Sequence, residues 1–178
     1  ELTFMGAYMA PVNSALAAHE KGDYETAYRE GKRAEEAWRS IGGKFWSPVV
    51  GACLAHACLN MGRIHEARKL VEQIIQEMEA TGELMMAGEI YRTAALVHLQ
   101  TDESNDQAFR LFDKSLALSR QQGTRSLELR TSISMAEYLV ARGKQREALE
   151  LLTPIHASFS EGHDTMDLRR ASKILYGM

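Results

Sequence analysis

The sequence predicts an all-α chain of helix hairpins stacked side by side, and three observations support this. Residues that favour helices (Ala, Leu, Glu, Arg and Met) dominate, whereas proline occurs only three times in 178 residues. A pattern recurs about every 40 residues, and no alternating strand pattern competes with it. Glycines recur at fixed positions within that pattern. The repeat is anchored on four alanines, Ala27, Ala67, Ala108 and Ala148.

Glycines mark two kinds of turn in the repeat. Five residues before the anchor alanine, a glycine ends the first helix of a hairpin, because glycine tolerates left-handed backbone angles. These glycines are Gly22, Gly62 and Gly143, and the polar stretch 101–105 replaces them in the third repeat. A second set separates successive hairpins and comprises Gly42, Gly82, Gly123 and Gly162.

Small and apolar residues keep register with the anchor. Twelve residues before it stand Ala15, Ala55, Leu96 and Ala136, and four residues after it stand Gly31, Val71, Phe112 and Leu152. These spacings trace one face of a helix. A single hairpin cannot bury such a face, so the hairpins must stack on one another.

The pattern predicts four hairpins and one closing helix in a single domain, 1–178. The hairpins are expected at about 4–41, 46–81, 84–122 and 125–160, with the eighth helix kinked at Pro154 or beginning there. The closing helix is expected at 165–176, with Asp164 or Thr165 as its N-cap. Leu168, Ala171 and Leu175 recur at helical spacing, so this helix should cover the open end of the stack.

The columns resemble those of tetratricopeptide (TPR) repeats. A small residue twelve before the anchor, an apolar residue nine before it and the Gly-x-x-x-x-Ala step are TPR spacings, although the period is longer than the usual 34 or so residues. The tryptophan and terminal proline columns of TPR repeats are not kept. The resemblance implies a TPR-like α-α superhelix, a right-handed solenoid with longer helices.

The second half has a more specific resemblance. Residues 122–130 (QGTRSLELR), 147–155 (EALELLTPI) and 159–168 (FSEGHDTMDL) are similar to the C-terminal end of bacterial STAND-type signalling ATPases. The resemblance implies a fragment of a larger multidomain cytoplasmic protein, associated with an adenylate/guanylate cyclase or a transcriptional-regulator domain. Its nucleotide-binding core would then precede Glu1.

Composition and motifs disfavour several function classes. The net charge of −3 argues against direct nucleic-acid binding, and no apolar run approaches the roughly 20 residues that span a bilayer. Cys53 and Cys58 lie five residues apart and cannot easily pair, which favours a reducing cytoplasm. The sequence contains no P-loop, zinc-binding His pair or nucleophile elbow, so we expect no catalytic residue, cofactor or metal. Gly42-Gly43-Lys44 reads as a helix stop.

Three function classes are compatible with the sequence. The first is a protein-protein interaction or scaffold module, the second a small-ligand sensor that binds an effector in the concave groove, and the third an enzyme in its own right. In TPR geometry the first helix of each hairpin lines that groove. The expected groove residues are Met9, Val12, Leu16, His19, Val49, His56, Val97, Gln100, Arg130, Ile133 and Glu137.

The groove face as a whole is expected to be largely apolar, with polar points at His19, His56, Gln100, Arg130 and Glu137, and an exposed apolar groove marks an interaction surface. We therefore expect a protein or peptide partner, such as an amphipathic helix from another protein or from a second copy of the chain. The alternative is that the same side chains pack helix on helix within a tight superhelix. A cluster of polar side chains around a closed pocket would instead favour the small-ligand sensor.

Overall fold

The computed structural model describes residues 2–43, 47–101 and 105–177, and within these ranges the chain is all-helical with no strand. The helices closely follow the predicted ones, because each is bounded by the turn residues that the repeat places there. They are α1 (Leu2–Glu20), α2 (Tyr24–Arg39), α3 (Ser47–Asn60), α4 (Ile64–Thr81), α5 (Ala87–Thr101), α6 (Asp106–Gln121), α7 (Arg125–Ala141), α8 (Gln145–Ala157) and α9 (Met166–Tyr176).

The turn glycines adopt the left-handed conformation that was expected of them. Gly22, between α1 and α2, has φ +75°, and Gly82, which follows α4, has φ +70°. The other predicted turn glycines share this conformation, namely Gly42, Gly62, Gly123, Gly143 and Gly162. A side chain at these positions would strain the backbone, so glycine fixes where each helix ends. Residues 102–104 of the predicted polar turn lie outside the described residues, and so does Lys44 of the predicted helix stop.

The anchor alanines lie where paired helices cross. Ala27, Ala67, Ala108 and Ala148 are all 0% exposed, so the predicted register of the repeat is correct. Four residues further along each helix, larger side chains fill the space beside the crossing in the later repeats, where Val71, Phe112 and Leu152 are also buried. In the first repeat this position is Gly31, where a Cβ atom would come within 2.9 Å of Leu54 Cδ2, so glycine lets α2 and α3 approach closely.

Helices pack in chain order, with one additional set of contacts. Each helix contacts the next, from α1 to α9. The first helices of the hairpins also contact one another, α1 with α3, α3 with α5 and α5 with α7. These odd-numbered helices therefore form a continuous layer that can line a shared surface.

Helix α9 closes the C-terminal end of the stack by packing on both α7 and α8. Leu168 and Ala171 are buried there beside Leu129, Leu152 and Ile155. Thr165 occupies the predicted N-cap position, but its side chain makes no capping hydrogen bond. Helix α8 begins at Gln145 and contains Pro154 within its span, so the proline does not mark its start. Among the described residues, no helix combines the length and the apolar character needed to cross a membrane.

Candidate functional site

A groove of about 820 Å³ lies against the layer of odd-numbered helices, and we call it the central groove. Its walls come from α1, α3, α5, α7 and α9, with further residues from the starts of α2 and α4. Unlike the expected apolar surface, these walls are rich in charged and polar side chains. They include His19, Glu20, Lys21, Tyr24, His56, Asn60, Glu89, Arg92, Gln100, Arg130, Ser134, Glu137, Asp167 and Arg170.

An ion pair within α5 forms the floor of the central groove. Arg92 donates from Nε to Glu89 Oε2 at 2.9 Å and from Nη2 to Glu89 Oε1 at 2.5 Å. Their side chains are only 7% and 12% exposed, respectively. A third bond runs from Arg92 Nη1 to Ser134 Oγ of α7 at 3.1 Å, so the guanidinium joins two hairpins.

Burial and charge act in opposite directions on this pair. Burial by itself raises the pKa of Glu89, but the charge and hydrogen bonds of Arg92, together with the charge of Arg130, outweigh it, and the pKa of Glu89 is lowered. Burial likewise disfavours the charged form of Arg92, and Glu89 more than compensates, so the pKa of Arg92 is raised. Both groups therefore remain ionised, and each depends on the other for its charge to be tolerated in the groove floor.

Two histidines join the first and second hairpins at the groove wall. His19 Nε2 lies 2.7 Å from His56 Nδ1. Asn60 Nδ2 lies 3.2 Å from the same His56 nitrogen and also donates to the His56 carbonyl oxygen at 2.8 Å. Because the Asn60 amide nitrogen only donates, His56 Nδ1 must accept, and His19 Nε2 must then carry its proton.

The histidine pair is neutral near pH 7. Burial, reinforced by the nearby Arg92 charge, lowers the pKa of His56 to about 3. Burial also lowers the pKa of His19. Tyr24 packs edge-on against both imidazole rings. The pair thus presents a His56 N–H donor and a His19 Nδ1 acceptor, both uncharged.

Arg130 of α7 connects distant parts of the chain across the groove. Its Nε donates to Asp167 Oδ2 of α9 at 2.7 Å, and its Nη2 donates to Glu20 Oε1 of α1 at 3.3 Å. Asp167 is 18% exposed, whereas Glu20 is 51% exposed. Burial disfavours the charge on Arg130, but Asp167 reverses this effect and raises the pKa of the guanidinium. A second bridge joins Arg170 of α9 to Glu137 of α7 at 2.9 Å.

The structure divides the eleven sequence-predicted groove residues into three groups. His19, His56, Gln100, Arg130 and Glu137 line the central groove. Met9, Val12, Leu16 and Val49 do not line it, although Leu16 is 41% exposed.

Val97 and Ile133 form the third group and require a correction, because they are core residues that are 0% and 1% exposed. Val97 packs in the core cluster that contains Ala108, and Ile133 packs in the core cluster that contains Leu168 of the closing helix. The alternative of helix-on-helix packing therefore describes these two side chains.

Sequence reasoning missed Glu89, Arg92, Ser134, Asp167 and Arg170. Glu89 and Arg92 carried a usable signal, because two opposite charges at i and i+3 stand within a run of residues that is otherwise small and apolar. Asp167 stands in the first turn of α9, where an acidic residue is favourable in any helix, but its carboxylate also binds Arg130.

The described residues contain no group of three or more His, Cys, Asp or Glu side chains placed to hold a metal ion. Cys53 and Cys58 are both buried free thiols. Burial raises the pKa of Cys53 to about 11 and that of Cys58 to about 12, so both stay protonated. No family model matches the chain, and neither curated proteins nor solved structures show a significant match to it.

Proposed function

We propose that this chain is a non-catalytic protein-protein interaction module that binds a polar segment of a partner protein in the central groove. The observation that carries the proposal is the groove itself, about 820 Å³ in volume and lined by five helices with partly buried charges on its walls. Core packing alone does not explain a buried ion pair, since apolar side chains of similar volume are often at least as stabilising. We further propose that the helices form the right-handed TPR-like superhelix that the repeat implies.

The charges of the groove favour a polar segment over an amphipathic helix. The groove walls carry four acidic side chains (Glu20, Glu89, Glu137 and Asp167) and four basic ones (Lys21, Arg92, Arg130 and Arg170). A partner with an apolar face would remove water from these partly exposed ion pairs and leave their remaining hydrogen-bonding atoms unsatisfied, which is costly. A segment with its own hydrogen-bonding groups, from another protein or from a second copy of this chain, would satisfy them.

The resemblance to STAND-type signalling ATPases supplies the proposed context. In that setting the module is the C-terminal sensor or scaffold part of a cytoplasmic regulator, whose output is a cyclase or a DNA-binding domain. Groove occupancy would then be the signal that the module passes to the ATPase. This part of the proposal rests on the residues quoted for the resemblance.

Selection of peptides from a random displayed library tests the binding function. Gln100 is exposed on the groove wall, so Gln100→Trp should obstruct the groove. Gln76→Trp, at an exposed position of α4 outside the groove, is the matched control. Selected peptides should bind the parent chain and Gln76→Trp alike and bind Gln100→Trp at least tenfold more weakly. Peptides that do not distinguish the two variants would show that the groove is not the site.

A small-ligand sensor is the second candidate, and the size of the groove favours it. Pockets for small molecules measure about 300–1,000 Å³, and the central groove lies within that range. Its fixed polar groups, the His19–His56 pair and the Glu89–Arg92 pair, could orient a polar effector. Thermal denaturation against a set of polar metabolites separates the two candidates. A metabolite that stabilises the parent chain but not Gln100→Trp would favour the sensor, provided that the peptide selection also fails.

A further inference from the structure

The guanidinium of Arg130 is firmly bound at Nε and only weakly bound at its two outer nitrogens. Asp167 binds Nε at 2.7 Å and fixes the plane of the guanidinium from α9. At the outer edge, which Nη1 and Nη2 form, Nη2 donates to Glu20 Oε1 at 3.3 Å, and Nη1 donates to no acceptor among the described residues. Carboxylates bind such an edge with two parallel hydrogen bonds, whereas Glu20 uses only one oxygen.

Glu20 is the weaker of the two partners of Arg130. Its side chain is 51% exposed, and it lies at the last position of α1, next to the turn at Gly22. Exposed ion pairs of this kind contribute little stability, because water competes for both charges and the side chains lose freedom. The Glu20 carboxylate can therefore leave Arg130 at small cost, while Asp167, only 18% exposed, stays.

Charge balance shows what could take the place of Glu20. With Glu20 bound, the four acidic and four basic side chains of the groove cancel. A ligand carboxylate that replaced Glu20 would keep Arg130 paired and release Glu20 to water. A cationic or apolar group at this point would leave the guanidinium without its second partner.

We infer that the outer edge of Arg130 is a carboxylate-binding subsite, occupied by Glu20 until a ligand carboxylate displaces it. This inference rests on the proposed function, and it assigns the displacing carboxylate to an acidic side chain of the bound partner segment. Because Glu20 belongs to the first hairpin and Arg130 to the fourth, displacement also frees the first hairpin from the far side of the groove.

The experiment removes the internal competitor and measures binding of a simple probe. The probe is the peptide acetyl-Gly-Glu-Gly-amide, its uncharged counterpart carries Gln in place of Glu, and free succinate forms a separate arm. Binding is followed through the NMR signal of Arg130 Nε–H. Glu20→Gln should bind the Glu probe about two- to fivefold more tightly than the parent chain, the range that an exposed ion pair implies. Glu25→Gln, an exposed change on α2, should not alter binding.

Arg130→Gln should bind the Glu probe at least tenfold more weakly than the parent, with folding checked by circular dichroism. The inference would be overturned if Glu20→Gln and the parent bound the Glu probe with equal affinity, or if the parent bound the Glu and Gln probes equally. Neither result depends on the Arg130 variant. Tighter binding of succinate than of the Glu peptide would overturn the assignment to a partner segment. If the Glu probe does not bind the parent chain, but the selected peptides bind the parent and not Gln100→Trp, the subsite is refuted and the proposed function stands.

Discussion

His19 Nε2 of the first hairpin and His56 Nδ1 of the second are 2.7 Å apart, and the bond requires His56 to be neutral so that its Nδ1 can accept. Protonation of His56 would replace its acceptor with a second donor that faces His19 and Asn60. The pair therefore makes the stability of the chain dependent on pH.

Stability should fall as the pH drops below the ordinary histidine value. The pKa of His56 is about 3 when folded and near its ordinary value of 6.5 when unfolded, so the unfolded chain binds more protons between these values. The stabilisation is fully present above pH 6.5 and is progressively lost towards pH 3. From pH 7 to 5.5 the loss attributable to His56 should be about 1 kcal/mol.

Urea unfolding at both pH values measures this effect, and two glutamine variants isolate it. His56→Gln should remove most of this pH dependence, whereas His65→Gln, at an exposed position, should keep it. An unchanged pH dependence in His56→Gln would show that other groups control it.

Breaking the buried ion pair of α5 should be strongly destabilising. Arg92→Met leaves Glu89 buried without its counter-charge, and we expect a loss of about 3–5 kcal/mol. The double variant Glu89→Gln, Arg92→Met should lose less than the sum of the two single variants, because neither charge is then stranded. Denaturant unfolding of all four proteins gives the coupling, and strict additivity would contradict a coupled pair.

Enlarging an anchor alanine should overpack a helix crossing. Ala67 and Ala148 are fully buried, so Ala67→Leu and Ala148→Leu should each cost about 1–3 kcal/mol. Ala80→Leu, on the same helix as Ala67 but exposed, is the control and should stay within about 0.5 kcal/mol of the parent. Thermal melts provide the comparison, and parent-like melting of both anchor variants would refute this account of the crossing.

Truncating the closing helix contact should destabilise the C-terminal hairpin. Leu168 is 2% exposed between α7 and α8, so Leu168→Ala should cost about 2–5 kcal/mol. Met166→Ala, at a position of α9 that is 45% exposed, should cost far less. Hydrogen exchange should locate the lost protection in α7, α8 and α9. Uniform loss along the chain would mean that the stack unfolds as one unit.

The isolated chain should neither hydrolyse ATP nor form a cyclic nucleotide, because its sequence contains no phosphate-binding P-loop. Phosphate release and cyclic-nucleotide formation are measured on highly purified protein. Turnover that rises in proportion to protein concentration, and persists through a second purification step, would contradict the proposed non-catalytic role.

The helices were predictable because their determinants are local. Gly62 and Ala67 lie only five residues apart. The left-handed glycine ends one helix, and the buried alanine lets the next helix pack closely against it. The central groove is different, because Glu20, Arg130 and Asp167 meet only after the whole stack has formed. Their spacing in sequence carries no periodic signal. Val97 and Ile133 were wrongly assigned to the groove because a position shared between repeats does not show which neighbouring helix covers the side chain.

The bond between Glu20 and Arg130 also bears on the elasticity of the molecule. Helix α1 contacts only α2 and α3 among the described helices, so its tie to the fourth hairpin is made by side chains rather than by packing. Half-exposed charges are screened by salt, with a Debye length of about 10 Å at 0.1 M. Because salt weakens this bond, the array should be more extensible at high ionic strength than at low ionic strength, although every helix remains intact.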